Sequence, residues 1–122
     1  MYKYSFEKLD VWQQSRELVK DIYEITEKFP NEEKFGLTSQ IRRATISVSS
    51  NLAEGAARKT AKDQAYFSTI AYGSLMEMLN QLILATDLNF IKKESLDKIR
   101  PKIEEVGNKL NSLRNSQYKR VK

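Results

Sequence analysis

Cysteine and histidine are both absent from this chain of 122 residues. Without cysteine there is no disulfide, no thiol nucleophile and no thiolate metal site, which is compatible with a reducing compartment. Without histidine the usual general base, the usual zinc ligand and the triads that need an imidazole are all excluded. Glycine and proline are scarce, four and two residues, which favours long elements and few turns. No apolar run is long enough for a bilayer, because the most apolar segment, Tyr66 to Leu88, is broken by Glu77, Asn80, Gln81 and Asp87. The opening residues, MYKYSFEKLDVW, hold no apolar signal-peptide core. The expectation is a cytoplasmic protein with no membrane partner and one hydrophobic core.

A second absence is local. From Ala44 to Ala53 the sequence reads ATISVSSNLA, without a charge, between Arg42-Arg43 and Glu54. The chain is 30% charged, so a surface helix of this length should carry about three charges to solvate its outer face. The stretch therefore reads as packed on both sides, most simply against another copy of the chain.

What is present is helical periodicity. Over residues 8–29, Val11, Ser15, Leu18, Val19, Ile22, Thr26 and Phe29 share one face, and Pro30 stops the helix. Asn31 is a candidate cap for a second helix over Glu32 to Ala57, with Leu37, Ile41, Ala44, Thr45, Val48 and Leu52 as its core stripe. Opposite them lie Ser39, Arg43, Ile46, Ser50, Ala53 and Ala57. Thr60 caps a third helix that runs to about Asn89. That helix carries two stripes, Phe67, Ala71, Ser74, Met78, Leu82 and Ala85, and then Tyr72, Met76, Leu79 and Ile83. A fourth helix over about 95–115 has the single stripe Leu96, Ile99, Ile103, Val106, Leu110 and Leu113, with a kink or a late start expected at Pro101. Residues 116–122, SQYKRVK, read as a basic tail, disordered and outside a domain formed by residues 1–115. The fold class is all-α: an antiparallel up-and-down four-helix bundle.

Helices one and four are one-sided, whereas two and three are two-sided. Ile46, Ser50, Ala53, Ala57, Tyr72, Met76, Leu79 and Ile83 are the expected interface of a homo-oligomer. A head-to-tail contact would close a ring, and a self-facing one would give a dimer. Charge is uneven as well: residues 34–62 carry six cations and one anion, and residues 92–122 ten cations and four anions. Up-and-down topology brings the N-terminus, the second connection and the C-terminus to one end. That end collects Arg58, Lys59, Lys62, Lys119, Arg120 and Lys122, with Lys3, Lys8 and Arg114 beside them and Glu7, Asp10 and Asp63 partly offsetting them. Such a pole attracts phosphate backbones, RNA or DNA, mostly without reading sequence. The alternative is a scaffold that binds another protein, its basicity incidental.

No catalytic constellation stands out, and no cofactor or metal is expected. Asn51, Glu54 and Arg58 could meet, Glu54 and Arg58 by their i,i+4 spacing, but one carboxylate is a weak metal signal. Arg42 and Arg43 are candidates to bind phosphate or to pair with acids of the first helix. The strings FEKLDVWQQSRELV, FPNEEKFGLTSQIRRA, SSNLAEGAARK and IAYGSLMEMLNQL resemble the bacterial four-helix-bundle family of 23S rRNA intervening-sequence proteins. The resemblance covers Phe6 to about Phe90 and weakens in the last helix. Arg42, Arg43, Asn51, Glu54 and Gly55 match its shared motif, while Ser49 stands where members often have proline. The family is also similar to the ring-forming accessory protein of diversity-generating retroelements. The resemblance implies a non-enzymatic cytoplasmic protein, a pentameric ring and a nucleic-acid role.

Overall fold

A computed structural model describes residues 1–122. The chain is entirely helical, with four long helices: α1 (Asp10–Glu27), α2 (Leu37–Ala56), α3 (Ala61–Asp87) and α4 (Lys93–Lys119). Short 3-10 turns at Ser5–Lys8 and Asn31–Glu33 precede α1 and α2. Each helix packs on the next in sequence, and α4 returns to α1. Residue pairing shows the antiparallel sense throughout. Between α2 and α3, Ser47 meets Ser74 and Gln40 meets Gln81; between α3 and α4, Ser68 meets Gln117; between α1 and α4, Asp10 meets Lys109 and Asp21 meets Lys102. Thr60 caps α3 by accepting from the Asp63 amide at 3.2 Å. Asn89 ends that helix in the left-handed region at φ 64°, so that the Phe90 amide reaches back to the Ala85 carbonyl at 2.8 Å.

Three boundaries differ from the periodicity reading. The second helix begins at Leu37 rather than Glu32, because residues 34–36 turn first. Asn31 does not cap it; the Glu33 carboxylate instead accepts from the Leu37 amide at 3.1 Å. The fourth helix begins at Lys93 and passes through Pro101, whose ring is exposed. It also runs on to Lys119, so SQYK is helix and not a loose tail. Gln117 explains that extension: it continues the buried stripe after Leu110 and Leu113, and it is itself buried against α3.

The inward faces of all four helices meet inside one molecule. Leu18 and Ile22 of α1, Ile41 and Val48 of α2, Leu75, Met78 and Leu82 of α3, and Ile103, Val106 and Leu110 of α4 meet in a single core. The uncharged stretch is mostly consumed here too. Ala44, Thr45, Val48 and Leu52 are buried, and Ser47, Ser49, Asn51 and Ala53 are half-buried. Only Ile46 and Ser50 of the ten stand exposed. The small residues therefore serve mainly a close seam between α2 and α3. A Cβ added at Gly55 would come within 2.8 Å of the Phe67 Cβ. Gly55→Ala should accordingly lower unfolding stability by about 1–3 kcal/mol, read as a lower denaturant midpoint, whereas Gly73→Ala, where no atom lies within 4 Å, should not.

The α1–α4 seam is held differently, by ion pairs at its rim. Lys102 Nζ donates to Asp21 Oδ2 at 2.9 Å, and Lys109 pairs with Asp10 and Glu105. The hydrogen bond to Asp21, and then its charge, raise the Lys102 pKa above the ordinary 10.5. Folding thus favours the ammonium form. The gain is fully present below the unfolded-state value and fades as pH rises through the raised one. Denaturation from neutral pH to about pH 11.5 should show wild type losing up to about 1 kcal/mol more than Lys102→Met.

Candidate nucleic-acid interface

Antiparallel packing of four helices puts the N-terminal turn, the α2–α3 turn and the end of α4 at one pole. Gln64 in the first turn of α3 ties two of these together. Its Nε2 donates to the Arg58 carbonyl at 2.9 Å, while its Oε1 accepts from the Arg120 guanidinium at 3.1 Å. A cavity of about 180 Å³ opens beside it, lined by Ser5, Asn51, Gln64, Ser68, Gln117 and Arg120 among others. Inside it Gln117 Oε1 accepts from Ser68 Oγ at 2.7 Å.

The expected nucleic-acid residues come together here. Arg58 and Arg120 flank Gln64, Lys59 and Lys62 sit in and just after the α2–α3 turn, and Lys119 and Lys122 end the chain. All six are exposed. None of them is in an ion pair; every salt bridge in the chain lies within α4 or between α4 and α1. Arg58 is steadied instead by the Phe67 ring, 4.6 Å from its guanidinium carbon. Of the acids nearby, Glu7 accepts from the Tyr4 amide, and Asp63, in the first turn of α3, is exposed and partly offsets the cations. Arg114, expected at this pole, is drawn back over the Tyr72 ring and onto Asn111.

Other expected residues part company. Asn51 turns back to Ser47, donating to its carbonyl at 2.8 Å. Arg58 lies beyond the end of α2, so the i,i+4 spacing from Glu54 is lost, and the two form no salt bridge. No three metal-ligating side chains converge anywhere in the chain. Arg42 meets no acid of α1: its Nε donates to Thr26 Oγ1 at 2.8 Å, and its guanidinium lies 4.2 Å from the centre of the Tyr23 ring. Arg43 is exposed.

The expected interface residues divide. Tyr72 and Leu79 pack against the molecule's own core, because α4 covers that edge of α3. Ile46, Met76 and Ile83 remain exposed at 36–40%, as do Ser50 and Ala57, and Ala53 is half-buried. They do not make one patch. Ser47 and Ser74 mark where α2 and α3 touch, and Met76, two residues on from Ser74, points about 160–200° away around α3.

Sequence reasoning missed the pole's aromatic residues: Tyr2, Tyr4, Tyr66 and Tyr118 are all exposed. The strings MYKY and QYKR, tyrosines interleaved with cations at both ends of the chain, carried that signal. Gln117 was also legible, as the next step of the stripe at Val106, Leu110 and Leu113.

Compared with known families, residues 7–112 match the family described as 23S rRNA-intervening sequence protein. The match runs from the first 3-10 turn well into α4, further than the resemblance of the motifs alone. No curated protein matches the chain.

Proposed function

The chain belongs to the 23S rRNA-intervening sequence protein family, and for this member we propose a non-enzymatic protein that assembles with copies of itself and binds nucleic acid at its basic pole. The observation that carries the reading is a gathering of charge: Arg58, Lys59 and Lys62 of the α2–α3 connection and Lys119, Arg120 and Lys122 at the end of α4 are all exposed at one pole, none of them in an ion pair. Crowding unneutralised cations costs self-repulsion, and a polyanion that displaces counterions relieves it. No helix is long and apolar enough to cross a membrane.

Self-assembly rests on the exposed apolar side chains. Ile46 lies on α2, and Met76 and Ile83 lie on a different face of α3. Patches at different places on the surface suit a head-to-tail contact, which closes into a ring when the rotation allows, rather than a self-facing dimer. A ring would repeat the basic pole around its axis and multiply its charge.

Two measurements test the two halves of this reading. Titration of labelled RNA and duplex DNA at several salt concentrations should give a log–log slope that flattens by roughly 2–3 units when Arg58, Lys59 and Lys62 are all replaced by alanine. An unchanged slope would remove this surface, and no binding at any salt would leave the protein-scaffold alternative. Sedimentation should give a species several times the chain mass of 14.2 kDa, reduced to monomer by Met76→Glu with Ile83→Glu. A wild-type monomer at micromolar concentration would contradict self-assembly.

A further inference from the structure

We propose that the basic pole is built for single-stranded nucleic acid, with unpaired bases stacking on its exposed tyrosines while the phosphates cross its cations. The inference rests on the nucleic-acid reading above and narrows it. The chain has six tyrosines, and they fall into two groups. Tyr23, 38% exposed, and Tyr72, half-buried, each lie beneath an arginine. Tyr2, Tyr4, Tyr66 and Tyr118 are 54–76% exposed, and all belong to the N-terminal segment, the start of α3 or the end of α4. No cation lies over any of these four rings; every cation–ring contact in the chain is made to another aromatic residue.

Exposed tyrosine is ordinary on a protein surface. Four of six at one pole, next to six unpaired cations, is a different arrangement. Several are also held in place. Tyr118 Oη lies 3.4 Å from Thr69 Oγ1, one turn along α3 from Tyr66. Tyr66 meets Phe67 edge-on at 5.6 Å, and Arg58 lies over Phe67. Tyr2 and Tyr4 meet edge-on at 5.0 Å. Arg58 is thereby fixed beside the Tyr66–Phe67 pair, a combination that suits a single strand: charge for the backbone and flat faces for successive bases.

A duplex cannot use that combination. Its base faces are already stacked on one another, and only phosphates and groove edges are offered to the protein.

The test is anisotropy of the full-length protein with labelled oligouridine, oligothymidine and a duplex of equal length at one salt concentration. The single strands should bind at least about tenfold more tightly than the duplex. Tyr66→Ala with Tyr118→Ala should cost the single strands about tenfold or more and leave the duplex nearly unchanged. Tyr66→Phe with Tyr118→Phe should bind as wild type, since the ring face and not the hydroxyl is used; loss there, with native circular dichroism, would overturn stacking. Duplex binding as tight as single-strand binding, or single-strand binding indifferent to the alanine variants, would overturn the inference while leaving a charge-only interface. Failure of the wild type to bind any of the three probes would instead overturn the nucleic-acid reading itself.

Discussion

The close approach of α2 and α3 is the constraint on which the rest of the molecule depends. Gly55 lies so near Phe67 that a methyl group would not fit without movement, and the hydroxyls of Ser47 and Ser74 meet across the seam at 2.8 Å. α1 and α4 then pack against that pair through Leu18, Ile22, Ile103, Val106 and Leu110, with charged pairs at the rim between them. The tight side and the charged side of the bundle divide the labour: small residues set the geometry, and acids and bases close the remaining edge.

The same seam determines what the pole looks like. Because α2 ends at Ala56 and α3 begins at Ala61, the turn between them is short and carries Arg58 and Lys59 at its tip. Gln64 binds that turn to Arg120 on α4, so two basic segments far apart in sequence become one surface. The pole thus presents exposed cations outside any ion pair, exposed tyrosines, and a small cavity lined by Gln64, Gln117 and Arg120 among others.

Much of the fold was legible in the sequence. Four apolar stripes with a period near 3.6, a threonine cap and a stop at Pro30 give the number, order and sense of the helices. The differences have specific physical causes. Much of the uncharged stretch is taken up within the molecule, because serine and alanine carry no label for a seam with a neighbouring helix as against a seam with another molecule. The second stripe of α3 divides, with Tyr72 beside Gly107 and Arg114 of α4 while Met76 and Ile83 stay exposed, because one-dimensional periodicity does not say how far a neighbouring helix reaches around. The C-terminal residues looked loose because their charge outweighs one glutamine, yet Gln117 is buried and holds the last turns in place. The pole was legible as charge, through topology, but its aromatic character was hidden by the distance in sequence between Tyr4, Tyr66 and Tyr118.

The central claim is that the pole, and no other face, receives the nucleic acid. Amide hydrogen exchange of the full chain with and without a saturating single-stranded oligonucleotide tests it directly. The account predicts slowed exchange in residues 57–66 and 114–122, with the middle of α1 and the α1–α4 rim unchanged. Protection along α1, or along α2 near Ile46, with none at the α2–α3 turn would contradict it.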